Sequence, residues 1–300
     1  MFDANEFMKH AIDMHCHCYP DAAGKDHHLM TKTNEDVIKT DRDGGMYGLV
    51  LKAHCWPPIR LAHKLNEMYN DFTVYPSVSL NQTSGGPYPW VVEMAHNLGA
   101  RFIWLPTWSS LNDKNSPAGY YGLTCGEESN RYWKDIPDEA FYTEIDEDGD
   151  LKENIKEVVS LCKEYDLVLG TGHGTTKEAL AVARFAHEIG FGKLCFTHPY
   201  CGLDAVTHDQ LKEFADLGGY IELTTLEVQP LYTSMTIAEW IEICELCGYD
   251  HCYISSDHYF DWTPTVPEQF KSVIGCMHAC GAKDEDIMTM MENPYSLLEG

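Results

Sequence analysis

No stretch of this chain approaches the ~20 consecutive apolar residues that a membrane-spanning helix needs, so an integral membrane protein is excluded. Basic residues are scarce. The chain has 21 Lys and Arg against 47 Asp and Glu, a net charge of −26, which repels phosphate backbones and anionic bilayers. Nucleic acid and membrane surfaces are therefore not expected as partners. The opening MFDANEFMKH lacks the basic start and apolar stretch of an export signal, so a cytoplasmic location is expected. No Pro- or Ser-rich linker divides the sequence, and no GxGxxG or GxxxxGK follows a strand-like run, which removes the usual nucleotide-binding signatures. Disorder is excluded as well, because 44% of the 300 residues are apolar and only 23% charged, ample for a core. The 12 cysteines, in a chain of this size without an export signal, are expected as free thiols. Their tightest group, Cys244, Cys247 and Cys252 in CELCGYDHC, ends an amphipathic helical pattern and reads as small buried hydrophobes rather than a zinc or iron–sulfur site.

Short β-rich runs alternate with helical patterns along the whole length. Strands are expected near 11–17, 47–54, 73–80, 101–106, 166–171, 193–198, 219–225 and 252–257. Helices are expected over 59–69, 89–98, 152–165, 176–189, 207–217, 236–247 and 267–280. Four of them open with a capping-box pair: Thr175 with Glu178, Thr207 with Gln210, Thr236 with Glu239, and Thr265 with Glu268. Eight strand–helix units without a linker predict an α/β fold, a single (β/α)8 TIM-barrel domain over residues 1–300. One segment breaks the rhythm. From 107 to 150 the chain is polar, Gly-rich and acidic, too long for an ordinary βα loop. It reads either as a lid or specificity element over the catalytic face or as a surface excursion with a small hairpin ending at EDGD.

Histidine carries the functional signal. His15, His17, His54, His173 and His198 fall at or just past the C-terminal ends of expected strands, and Asp257 closes the eighth. That end of a barrel is where catalysis is staged. In DMHCHC the two-residue period of a strand sends His15 and His17 to one side and Cys16 and Cys18 to the other, so the pair can chelate one ion without the thiols. A divalent cation held by neutral imidazoles with an open position lowers the pKa of a bound water to about 7, and a neighbouring carboxylate can take that water's proton. Lys52 shares the parity of His54. Asn81 and Trp104 end strands three and four, and Tyr259, Phe260 and Trp262 after Asp257 offer an apolar wall near a substrate.

These motifs resemble the amidohydrolase superfamily of metal-dependent hydrolases. The resemblance runs through His15-Cys16-His17 in strand one, GTGHGT with His173, FTHPY with His198, SSDHYF with Asp257, and the closing MMENPYSLLEG with Asn293, Pro294 and Leu297. It implies that His15, His17 and His173 hold a divalent metal with Asp257, and that His198 ligates a second ion or polarises the substrate. Strand four departs from the binuclear pattern, since RFIWLPTW ends without a bridging Lys or acid. A bridge would have to come from Lys52 as a carboxylated lysine, or from Glu222. Unmodified, Lys52 would grip a substrate carboxylate or pair with an acid such as Asp13. One ion is favoured over two, with zinc first and manganese or iron as alternatives. The expected catalytic residues are Asp257 and His198, and the expected substrate-binding residues are Lys52, His54, Asn81 and Glu222. The implied activity is hydrolysis of a C–N bond in a small molecule by an oligomeric enzyme. A metal-dependent decarboxylase is the nearest rival, and a phosphoesterase is disfavoured by the acidic charge and the absence of an Arg cluster at strand ends.

Overall fold

The computed structural model describes residues 2–21, 32–119, 136–232, 234–258 and 260–300. Eight parallel strands follow one another in sequence order: β1 (Ile12–His17), β2 (Gly48–Lys52), β3 (Thr73–Ser79), β4 (Phe102–Trp104), β5 (Val168–Gly170), β6 (Leu194–Phe196), β7 (Tyr220–Thr224) and β8 (Cys252–Ser255). The sheet closes where Cys16 bridges His258 and the His17 amide donates to the His258 carbonyl at 3.2 Å. This is the (β/α)8 barrel that the alternation of periods predicts. Each expected strand is present, trimmed by one to three residues at its ends because only the laddered residues are extended.

The described α-helices are α1 (Ala4–Met8), α2 (Asn34–Asp43), α3 (Ile59–Met68), α4 (Pro89–Asn97), α5 (Leu111–Asn115), α6 (Glu153–Glu164), α7 (Thr176–Ile189), α8 (His208–Asp216), α9 (Ile237–Cys247), α10 (Val266–Ala279) and α11 (Asp284–Glu299). None of the described helices is long and apolar enough to cross a membrane. All four expected capping boxes form. Helix α2 was not expected because its start is the less usual pair Thr33 and Asp36 and its buried face is only Asn34, Val37, Ile38 and Asp41.

Two apolar layers result from the strand alternation. Outward side chains such as Cys16, Cys18, Leu49 and Leu51 join the core between strands and helices, where Cys244, Cys247 and Cys252 are also packed as free thiols. Inward ones, Ile12, Met14, Val50, Tyr75, Phe102, Trp104, Val168, Cys195 and Tyr253, fill the barrel with Leu297 and Leu298 of α11. The C-terminal helix thus plugs the end opposite the strand tips, and the Asn293 amide clamps it there by donating to the carbonyls of Tyr249 (2.9 Å) and Cys252 (2.7 Å). Gly170 has no side chain because a Cβ would lie 2.6 Å from the Trp104 ring, which occupies the barrel axis.

The register of β1 against β2 slips between Asp13 and Cys16. That irregularity sends Ile12 and Met14 into the barrel below and His15 and His17 into it above, although the two pairs differ in parity. Asp13 holds the slip: its Oδ1 accepts from the amides of His15 (3.1 Å) and Ser256 (2.8 Å), and its Oδ2 accepts from the Ser256 hydroxyl.

The excursion after β4 leaves its ends in view. Ser110 bridges Tyr142, and Ile145 pairs antiparallel with Leu151 across a turn in which Asp146 Oδ1 accepts from the amides of Asp148 and Asp150, each at 3.0 Å. The small hairpin at EDGD is therefore present, while residues 120–135 of the excursion lie outside the described residues.

Replacing Leu298 by Ala removes a fully buried side chain from the barrel plug. Urea denaturation is expected to show a loss of about 3 kcal/mol, the usual range for a core Leu. A loss under about 1 kcal/mol would mean that α11 does not plug the barrel.

Candidate metal centre

Four imidazoles converge at the C-terminal mouth, and three are turned there by buried acids. The Nδ1–H of His15 donates to Glu222 Oε1 at 3.1 Å, that of His17 to Asp21 Oδ2 at 2.8 Å, and that of His173 to Asp113 Oδ2 at 2.6 Å. A carboxylate can only accept from these rings, so each Nδ1 carries the proton and each Nε2 presents a lone pair. Two of those lone pairs meet another acceptor. Asp257 Oδ1 lies 3.1 Å from both His15 Nε2 and His17 Nε2, and His173 Nε2 lies 3.2 Å from His198 Nε2. The Asp257 oxygen and the two Nε2 lone pairs facing it repel one another unless positive charge stands among them, whereas the facing Nε2 atoms of His173 and His198 share one proton in a hydrogen bond.

One positive group does stand there. Lys52, fully buried on β2, donates from Nζ to His15 Nε2 at 2.6 Å. Its ammonium faces the Trp104 ring at 5.3 Å and makes no ion pair with a carboxylate among the described residues. The expected alternative partner, Asp13, is instead consumed by Ser256 and the His15 amide.

Burial sets the protonation of the rings. It pushes His15 and His54 well below the ordinary imidazole range, with the Lys52 charge adding to the shift. It lowers His173 against the pull of Asp113, and it brings His198 down to about 3, helped by His173. Lys52 is itself pulled down by burial, opposed by Asp257 and Glu222. Neutral imidazoles are the form that ligates metal. The backbone is strained here, since His198 (φ 26) and Asp257 (φ 50) adopt left-handed conformations that residues other than glycine seldom take. Gly172 (φ 65) makes the turn before His173, where a Cβ would meet the Leu105 carbonyl oxygen at 2.4 Å.

The donor set fits a divalent cation. Among the described residues, His15, His198 and Asp257 offer ligand atoms within 4.8 Å of one another, and so do His17, Asp21 and His54. Among the described residues, His198 Nδ1 is buried without a hydrogen-bond partner.

The sequence of residues 10–222 matches a family described as a family of unknown function (DUF6282). The chain belongs to that family. No curated protein matches the sequence. Solved structures share the fold. An amidohydrolase from Pseudomonas aeruginosa is 13% identical, with a TM-score of 0.66 over 99% of this chain and 98% of that one. The probable dipeptidase PvdM from Pseudomonas aeruginosa is 13% identical, with a TM-score of 0.60 over 97% and 95%. A mutant organophosphorus hydrolase from Deinococcus radiodurans is 13% identical, with a TM-score of 0.58 over 99% and 95%. The resemblance to the amidohydrolase superfamily therefore holds at the level of the barrel fold.

Two expected substrate-binding residues are engaged elsewhere. Asn81 spends its amide on the His54 carbonyl (2.9 Å) and Thr107 Oγ1 (2.7 Å), and its Oδ1 accepts from the amides of Thr107 and Ser109. It clamps the loop after β4. Glu222 sits behind His15, where Oε1 also accepts from the Ser255 hydroxyl at 2.7 Å and Oε2 from the His198 amide at 2.8 Å. It orients the His15 ring and holds the His198 backbone. His54 remains in the cluster, its ring 4.7 Å from that of His17 and its Nδ1 bonded to Thr107 Oγ1 at 2.9 Å. Trp104 forms the floor, 5.8 Å from the His15 ring. Tyr259 lies outside the described residues.

The orienting acids Asp21 and Asp113 were missed. Asp21 lies in a loop and Asp113 on a short helix, and no spacing rule links them to the rings they hold. Asp113 sits on α5 at the root of the excursion, where Ser110 Oγ (3.1 Å) and Asn112 Nδ2 (3.0 Å) also donate to the His173 carbonyl. Substituting Asp113 by Asn removes the acceptor that fixes the His173 tautomer. Competition with a chelator is expected to show zinc held about 10- to 100-fold more weakly, the usual cost of losing an orienting carboxylate. Unchanged affinity would remove His173 from the metal set.

Proposed function

We propose that the chain is a metal-dependent hydrolase that cleaves a C–N bond of a small molecule, with one divalent ion, zinc first, held by donors drawn from His15, His17, His173, His198 and Asp257. The observation that supports this most is the convergence of Nε2 lone pairs on Asp257 Oδ1, with the opposite nitrogens of His15, His17 and His173 bound to Glu222, Asp21 and Asp113. Named similar folds include an amidohydrolase and a probable dipeptidase, in keeping with this chemistry. When bound, a divalent cation supplies Lewis acidity, polarising a carbonyl oxygen and lowering the pKa of a water.

The chain's own residues do the rest. Asp257, whose side chain is 16% exposed, accepts the proton of the attacking water and hands it to the leaving nitrogen. His198, whose ring lies 5.5 Å from that of His15, faces the carbonyl oxygen. Lys52 moves off His15 Nε2 and donates to a substrate oxygen, so its burial without a carboxylate partner becomes a binding contact. The described ends of the excursion, 107–119 and 136–150, belong to the same single domain, and Ser110, Asn112 and Asp113 hold His173 at the mouth. The acidic charge suits an uncharged or cationic small molecule in the cytoplasm, acted on by an oligomer of this chain.

A second reading keeps the same metal set and breaks a C–C bond. Lys52 is the observation that favours it, because a buried ammonium beside the donor set matches a substrate carboxylate. Release of carbon dioxide from carboxylated candidates, with no hydrolysis of amides, would select this reading.

On a panel of amides and lactams, Asp257→Asn is expected to lower turnover by about 100-fold or more, as loss of a general base does. Zinc content by elemental analysis is expected to stay near that of the parent, since the imidazoles remain. Turnover within a few fold of the parent would remove Asp257 from proton transfer.

A further inference from the structure

Beside the metal set stands a wall of aromatic rings that the proposed chemistry leaves unused. The loop after β7 brings Tyr232 against Phe260 and Trp262 of the loop after β8, with ring centroids 5.3, 6.1 and 5.5 Å apart around the triangle. The planes are close to parallel: 8° between Tyr232 and Trp262, 27° between Phe260 and Trp262, 35° between Tyr232 and Phe260. The three rings form one aromatic cluster, and an added aromatic ring packs on such a cluster face-on or edge-on. This wall is wet. Tyr232 is 39% exposed, Trp262 40% and the adjoining Leu231 75%, in a chain whose other apolar side chains mostly pack into the barrel layers. Apolar surface gathered at the rim of a polar site marks a place where a ligand's apolar part is covered.

The wall lies close to the donor set along the chain. Phe260 follows Asp257 by three residues, and three residues of chain span at most about 10 Å. The turn is locked, because Thr263 donates from its amide (3.2 Å) and its hydroxyl (2.8 Å) to the Phe260 carbonyl and lies 3.3 Å from His258 Nδ1. Tyr232 feels the same neighbour: burial, and then the Asp257 charge, push its hydroxyl up to about 12.

We infer that Tyr232, Phe260 and Trp262 form the specificity subsite of this enzyme, and that its substrate carries an aromatic or other flat apolar group on the carbonyl carbon under attack. This rests on the proposed metal-dependent hydrolysis and narrows its substrate class. The group lies along the wall while the carbonyl faces Asp257, so the rings act on binding and orientation and leave proton transfer to the carboxylate.

Hydroxamates test the two layers separately, because the hydroxamate head binds a metal and the tail does not. On the zinc-loaded full chain, calorimetry with acetohydroxamate and benzohydroxamate measures the value of the phenyl group. Benzohydroxamate is expected to bind at least tenfold more tightly than acetohydroxamate. In Trp262→Ala and in Tyr232→Ala that ratio is expected to fall below about threefold, with acetohydroxamate affinity and zinc content unchanged. Equal affinities in the parent, or a ratio that survives both substitutions, would overturn the subsite while leaving the metal centre intact. Failure of both hydroxamates to bind would overturn the metal-hydrolase reading and the subsite with it. Sedimentation velocity supplies a further arm: a change of oligomeric state in either variant would show that the wall is covered by a second copy of the chain, which also overturns the assignment.

Discussion

The mouth of this barrel is governed by hydrogen bonds between imidazole Nδ1–H groups and buried carboxylates. Glu222, Asp21 and Asp113 each accept from one ring, and by fixing its tautomer they decide what the far nitrogen must do. A neutral imidazole has one donor and one acceptor, so binding the donor outward turns a lone pair inward. Three such rings and the Asp257 carboxylate then face one small volume. Burial keeps His15, His173 and His198 from relieving the repulsion by protonation. What remains is a place that favours a cation, which the Lys52 ammonium meets in part through its contact with His15.

The scaffold makes that arrangement affordable. Asp13 holds the slip in β1 that lets apolar side chains fill the barrel below while two histidines enter it above. The plug of Leu297 and Leu298 seals the far end, and Trp104 floors the site. Strain at His198 and Asp257 is carried by this surrounding packing, in keeping with the way unusual backbone conformations gather at functional sites. The root of the excursion takes part too, since Ser110, Asn112 and Asp113 all grip His173. A segment that breaks the strand–helix rhythm is therefore tied directly to one of the converging rings.

Much of this was legible in the sequence because it is periodic. Alternation at two residues and at 3.6 marks strands and helices, and Thr175, Thr207, Thr236 and Thr265 mark helix starts by a local reciprocal hydrogen bond. The parity argument for His15 and His17 against Cys16 and Cys18 also holds, because it concerns one strand. The slip just before it was invisible, since the Ser256 groups that fix Asp13 come from the opposite end of the chain. The same limit explains Asn81 and Glu222. Their positions near strand ends are readable, but whether a polar group faces the cavity or is used up behind it depends on partners brought in from other loops. Asp21 and Asp113 were unreadable for that reason as well: their meaning lies wholly in contacts across the mouth.

Anomalous diffraction at the zinc edge, from crystals of the zinc-loaded chain, tests the central claim most directly. The account predicts a peak about 2.0 to 2.2 Å from Nε2 atoms of at least three of His15, His17, His173 and His198, the ordinary zinc–nitrogen and zinc–oxygen range, with Lys52 Nζ moved away from His15. A map without a peak at these rings, or with His15 Nε2 still bonded to Lys52 and the zinc held elsewhere, would contradict it.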